Sequence, residues 1–130
     1  MSRFLLDTQV FLWMHADPRR LGSAGAIIED DCNELFLSAA SAWEIAIKSS
    51  IGKLSLREPP GRYVSDRLVV GAVTPMPVRH DHALAVADLP RHHDDPFDRL
   101  LIAQAKIEGV PLITADEAMR PYAVELIVIS

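Results

Sequence analysis

The stretch that decides the fold is Asp94–Asp116, DDPFDRLLIAQAKIEGVPLITAD. Asp95 reads as an N-cap, Pro96 fits the first helical position, and Asp98 falls in the first turn, where a negative charge favours the helix dipole. The apolar run Leu100-Leu101-Ile102-Ala103 continues the helix, which should run to Gly109. Val110-Pro111-Leu112-Ile113-Thr114 then reads as a strand, and Asp116 follows it. A capped helix feeding directly into a short apolar strand is the grammar of an α/β chain.

The rest of the chain follows the same grammar. Phe4 to Leu6 is a short buried strand, and Val10, Phe11, Leu12 and Trp13 cover one side of a helix that opens after Asp7-Thr8. Pro18 begins a second helical stretch to about Asp30, and Leu35-Phe36-Leu37 is the next strand. A helix from about Ser41 to Ser50 ends near Gly52, Pro59 and Pro60 mark a break, and helix resumes toward Val70. The extended piece Pro75-Met76-Pro77-Val78 suits a sheet edge, because proline cannot donate to a ladder. His80 to Ala87 reads as helix, Leu89 to Asp94 as loop, and Glu125 to Ile129 as a final strand. Strands separated by helices predict a three-layer α/β/α sandwich with a short, mainly parallel central sheet.

Residues 1–130 are the length of one domain and enough to enclose a core, so a single domain is expected. Hydrophobic residues make up 49% and aromatics only 6%, so that core is built from Leu, Ile, Val and Ala. Cys32, the sole cysteine, allows no internal disulfide and no cysteine-based zinc motif; it fits a small core or surface residue in a reducing compartment, the cytoplasm. Asp7 cuts short the apolar run at the N-terminus and no small-residue cleavage site follows, against a secretory leader. No segment has the length of a membrane span.

The net charge of −5 argues against strong non-specific binding of nucleic acid by the whole surface. Its distribution is uneven: Lys48, Lys53, Arg57, Arg62 and Arg67 lie in a stretch whose only acids are Glu58 and Asp66, whereas Asp81, Asp88, Asp94, Asp95 and Asp98 cluster later with Arg79, Arg91 and Arg99 among them. A basic arm beside an acidic pocket would hold phosphates while the pocket holds metal, although from charge alone a solvated helix face is the simpler account.

Four acids stand out. Asp7 and Asp116 each follow a strand, Glu44 lies in an alanine-rich helix, and Asp98 opens another. Singly, Asp7 and Asp116 are explained as N-caps, Asp98 by the helix dipole, and Glu44 by an i,i+4 pair with Lys48. Those accounts do not explain why capping acids after two parallel strands should coincide with an acid in a mostly apolar helix. Ligands of parallel sheets bind outside the carboxyl ends of the strands, and carboxylates gathered there repel one another unless a cation neutralises them. The pattern therefore points to a hard divalent ion with oxygen ligands, and from there to a phosphate substrate. A histidine-based zinc site is the poorer account: His92-His93 lacks the i,i+4 helical spacing and reads as loop, while His15, His80 and His82 are scattered. No G-x-S-x-G, P-loop or G-x-G-x-x-G motif is present.

Four segments carry a resemblance: LLDTQVFLW from Leu5, SAASAWEIAIKSSIGKL from Ser38, LPRHHDDPFDRLLIAQA from Leu89, and VPLITAD from Val110. Together they resemble the PIN-domain family, specifically the VapC-like toxin ribonucleases of bacterial toxin–antitoxin pairs, from the first strand to near the end of the chain. The resemblance implies an endoribonuclease dependent on Mg²⁺ or Mn²⁺, a homodimer, RNA as substrate, and a VapB-like antitoxin partner. It also implies that Asp7, Glu44, Asp98 and Asp116 form the acidic quartet, with Asp7 and Asp98 as direct metal ligands and Asp116 and Glu44 completing the site. Thr8 and Thr114 are then candidates for orienting the ligands through their hydroxyls. Apolar positions at Trp13-Met14 and from Ile45 to Ile51 offer surface for the second copy. A receiver domain fits poorly, since Thr8 rather than a second acid follows Asp7; a non-catalytic metal- or protein-binding module is the stronger rival.

Overall fold

The computed structural model describes residues 2–129. Its strands are β1 (Arg3–Leu6), β2 (Glu34–Ser38), β3 (Val73–Met76), β4 (Leu112–Thr114) and β5 (Leu126–Val128). They form one five-stranded sheet in the order β3-β2-β1-β4-β5, and every pairing is parallel. The sheet expected to be mainly parallel is thus entirely so. The helices are α1 (Thr8–Ala16), α2 (Gly25–Glu29), α3 (Ala39–Ser50), α4 (Pro60–Val70), α5 (His80–Ala85) and α6 (Pro96–Glu108).

Alternation along the strands divides the core in two. Leu6, Leu35, Leu37 and Ile113 face a layer containing Val10, Phe11, Ile45 and Val64, whereas Leu5, Phe36 and Leu112 face one containing Leu101, Ile102, Ala105 and Met119. Successive residues of a strand point to opposite faces, and both faces of this sheet are covered, so near-continuous apolar strands result. α1, α3 and α4 cover one face and α6 the other, which completes the three layers.

The chain lays down β1, β2 and β3 outward in one direction, then returns across the sheet to place β4 on the free side of β1. The strand order therefore reverses between β1 and β4, and the crevice at such a switch point is where open parallel sheets bind ligands. β1 and β4 are joined in register Leu5↔Leu112 and Leu6↔Ile113, and the Asp7 amide continues the ladder to Ile113 O at 3.0 Å.

Local chemistry sets the element ends. Asp95 accepts from the amides of Phe97 (2.8 Å) and Asp98 (3.2 Å), Pro96 starts α6, and Gly109 ends it with φ 66° in the left-handed region that glycine tolerates best. Ser38 caps α3 through Ala40 N at 3.0 Å, so this helix begins two residues before the expected Ser41. The stretch expected as one helix from Pro18 to Asp30 is two pieces, a 3-10 segment over Pro18–Ala24 and then α2; Gly22, with φ 49° and ψ −125°, breaks it. The edge strand lies at Val73–Met76, slightly before the expected Pro75–Val78, and carries its proline at the open edge of the sheet. His80–Ala87 tightens from α5 into a 3-10 turn at Val86–Asp88. Ile45, expected on an apolar outer surface, is fully buried; Trp43 and Ile51 are the exposed apolar residues of that region.

Ile113 is fully buried at the centre of the sheet beside Leu6. Ile113→Ala is expected to cost about 2–5 kcal/mol through lost burial and the cavity left behind, read as a lowered urea midpoint with an unchanged m-value.

Candidate metal centre at the carboxyl ends of β1 and β4

Asp7 leaves β1 as the N-cap of α1. Its Oδ1 accepts from Val10 N at 2.8 Å and its Oδ2 accepts a short hydrogen bond from the Thr114 hydroxyl. Only 6% of the residue is exposed, and among the described residues no lysine, arginine or histidine forms an ion pair with it. Burial raises its pKa, opposed by the hydrogen bonds from Thr114, Val10 and Ala115. Thr114, itself fully buried, also accepts from the Asp116 amide at 3.0 Å, so one hydroxyl ties together the acids that end two neighbouring strands.

Glu44 enters from α3 and is 5% exposed. Thr8 donates to its Oε1 at 2.5 Å and Lys48 to its Oε2 at 2.6 Å, while the Thr8 hydroxyl also lies 2.9 Å from Ser41 Oγ. The i,i+4 pair read from the sequence is thus formed, and its carboxylate also lines the cavity it shares with Asp7. The hydrogen bond to Glu44 raises the Lys48 pKa and holds the ammonium charged. Asp7, Glu44 and Asp98, with Thr8, Lys48, Lys53 and Asp95, line a cavity of about 280 Å³.

Asp98 and Asp116 meet on the other side of the crevice, and His93 stands between them. Its Nε2 lies 2.9 Å from Asp98 Oδ2 and 3.1 Å from Asp116 Oδ2, so a ligand atom from each residue falls within 4.8 Å of the other two. Burial, reinforced by the charges of Asp95 and Asp7 and opposed by His93, pushes the Asp98 carboxyl up to about 7. Burial disfavours the His93 imidazolium, but the two carboxylates outweigh it and raise its pKa. The proton near neutrality therefore belongs to the pair, and a cation arriving here would displace it.

The structure thus brings Asp7, Glu44 and Asp98 around one cavity and joins Asp98 to Asp116 through His93. Asp7 acts on Asp98, and Glu44 on Asp7, across the crevice. His93 was missed as a loop residue, because the helical spacing test used for histidine ligands does not apply to a loop. Its position five residues before Asp98, in a loop closing onto the N-terminus of α6, is the signal that was available. The donor types suit a divalent ion: three acids share one cavity, a fourth joins Asp98 through His93, and the most buried pair includes one whose charge no basic side chain offsets.

The PIN-domain family profile matches residues 4–125. The chain is 44% identical over 72 residues to Ribonuclease VapC16 of Mycobacterium tuberculosis, an alignment spanning 52% of this chain and 51% of that one. It is 30% identical over 125 residues to Ribonuclease VapC22 of the same organism, spanning 94% of this chain and 93% of the relative. Among solved structures, VapBC2 from Rickettsia felis bound to a promoter DNA fragment superposes with TM-score 0.72 at 11% identity, covering 99% of this chain and 100% of that one. VapBC-1 from nontypeable Haemophilus influenzae superposes with TM-score 0.64 at 14% identity, covering 98% of each. At such identities these structural likenesses bear on the fold.

Because the folded-state pKa of Asp98 lies above its ordinary 3.8, ionisation of this group favours the unfolded chain. The penalty is absent below the ordinary value and grows until pH passes about 7. Asp98→Asn is therefore expected to raise the Tm of the metal-free protein at pH 8, with the gain shrinking to nothing near pH 4. The lost helix-dipole contribution of about 0.3–1 kcal/mol works the other way. Thermal melts of both proteins across this range check the sign.

Proposed function

The chain belongs to the PIN-domain family, and from that premise we propose that it is a metal-dependent endoribonuclease, the toxin of a toxin–antitoxin pair, whose residues 1–130 form one nuclease domain. The observation that supports this reading is that Asp7, Glu44 and Asp98 line one cavity at the switch point between β1 and β4, with Asp116 joined to Asp98 through His93. Among the described residues no helix is long and apolar enough to cross a membrane.

In this reading the four acids would hold Mg²⁺ or Mn²⁺, which would lower the pKa of a bound water and stabilise charge on a phosphate. Thr114 fixes the Asp7 carboxylate against the Asp116 backbone, and Thr8 fixes Glu44, so neither acid rotates away from the cavity. Lys48, kept charged by Glu44, and Lys53 stand on the cavity wall, where they would meet the oxygens of an entering phosphodiester. The acids otherwise repel a polyanion, so Lys48 and Lys53 would draw the backbone to the crevice.

Purified chain free of any partner is expected to cut RNA with Mg²⁺ or Mn²⁺ and to stop in EDTA, and Asp98→Asn is expected to lower cleavage by orders of magnitude while remaining folded by circular dichroism. Cleavage that continues in EDTA would remove the metal from the reaction. Retained metal binding without cleavage of any RNA would favour the non-catalytic module instead.

The partners proposed are a second copy of the chain and a VapB-like antitoxin. Trp43, Ile51, Val69 and Val70 are each more than half exposed, an apolar surface that a lone domain leaves in water. An antitoxin would close the site by lodging a basic side chain, most favourably Arg, among the carboxylates. Light scattering at micromolar concentration is expected to give twice the 14.4 kDa chain mass; a monomer would count against the dimer.

A further inference from the structure

We propose that His93 is itself a ligand of the metal centre, so that the site has a nitrogen donor and selects a first-row transition ion such as Mn²⁺ over Mg²⁺. The inference rests on the metal reading above and deepens it.

Three observations carry it. The first is spacing. Adjacent ligand atoms around an octahedral ion with bonds of about 2.1 Å are separated by about 3 Å, and His93 Nε2 stands 2.9 Å from Asp98 Oδ2 and 3.1 Å from Asp116 Oδ2. The same lengths suit hydrogen bonds, so what distinguishes a ligand is whether the imidazole stays in place when an ion arrives.

The second is that the loop is built to hold it there. Arg99 is 8% exposed and, among the described residues, has no carboxylate partner; its guanidinium donors instead go to backbone carbonyls between Val86 and His93 and to the Tyr122 hydroxyl. Nη1 donates to Pro90 O at 2.9 Å and to the Tyr122 hydroxyl at 3.1 Å, and reaches His93 O at 3.5 Å. Nη2 donates to Val86 O at 3.0 Å and Leu89 O at 3.3 Å. The Tyr122 hydroxyl in turn accepts from His92 N at 3.2 Å. A buried charged group that ties the turn at Val86 and the loop at Leu89 and Pro90 to Tyr122 restrains that segment, since freeing it would leave the charge unsatisfied. The clamp fixes the backbone that leads to His93, and the imidazole itself is held by Asp98 and Asp116.

The third is chemistry. Mg²⁺ is hard and takes oxygen, whereas imidazole suits the later divalent ions, so a nitrogen ligand separates ions that an all-carboxylate site would bind more evenly. Mn²⁺ is the weakest binder of the first-row series. A preference for it over Mg²⁺ is accordingly a stringent test.

The test uses the full chain, free of partner, with Mn²⁺ and Mg²⁺ alone as probes and calorimetry plus pulsed electron paramagnetic resonance of the Mn²⁺-loaded protein as readouts. Wild type is expected to bind Mn²⁺ at least about tenfold tighter than Mg²⁺ and to show ¹⁴N modulation. His93→Ala and His93→Gln should each lose the nitrogen signal and weaken Mn²⁺ by about 10–100-fold, with Mg²⁺ changed far less. His92→Ala, altered at a ring that packs edge-on against Tyr122, should retain the signal. An all-oxygen spectrum in wild type overturns the proposal, as does a rise in affinity for both ions in His93→Ala, which would make His93 a cation that merely occupies the site until metal displaces it. Either result leaves cleavage and its loss in EDTA intact. Failure of both ions to bind wild type overturns this inference together with the metal reading.

Discussion

The parallel pairing of β1 with β4 is the constraint on which the site depends. Two short strands from opposite ends of the chain lie side by side, with Leu5 and Leu6 opposite Leu112 and Ile113. All four of these residues are fully buried, so a slip of one residue would exchange the two core faces and is strongly disfavoured. With the register held, the backbone leaves the sheet at a fixed place on each strand. Asp7 and Thr114 then come within hydrogen-bonding distance although 107 positions separate them.

The second consequence is electrostatic. Four acids around one crevice raise the free energy of the folded chain, and the protein meets this locally at each one. Lys48 compensates Glu44, His93 compensates Asp98 and Asp116, and hydroxyl and amide donors surround Asp7. Burial, more than the neighbouring carboxylates, holds the Asp7 and Asp98 pKa values above their ordinary range. A cation placed among these carboxylates would offset charge that the fold has taken out of water.

Much of this was legible in the sequence where the signal is local. Asp95-Pro96 at one end of α6 and Gly109 at the other marked that helix because capping chemistry acts over a few residues. The acid after each strand was legible for the same reason. Other features needed the third dimension. Gly22 splits a helical stretch through a backbone angle that its residue type permits without requiring. Ile45 and Trp43 lie two positions apart on α3, one fully buried and the other 62% exposed, and a run rich in Ala and Ile does not announce which face meets the sheet. His93 meets Asp98 and Asp116 at the end of a loop that Arg99 ties to Val86, Leu89, Pro90 and Tyr122, an arrangement that no spacing rule near His93 encodes.

The Asp98-Arg99 pair on α6 joins these levels. Consecutive helical residues point about 100° apart, so the helix can turn one toward the crevice and the other toward the loop packed beside it. Asp98 meets His93 and Asp116, while Arg99 binds the loop that presents His93. A rotation or slide of α6 would withdraw the carboxylate and release the imidazole together. Leu101, Ile102 and Ala105, buried against the sheet, resist such a movement. The apolar face of this one helix therefore sets the geometry of a charged site that it does not touch, and its N-terminal turn supplies both a carboxylate of that site and the anchor for its neighbour.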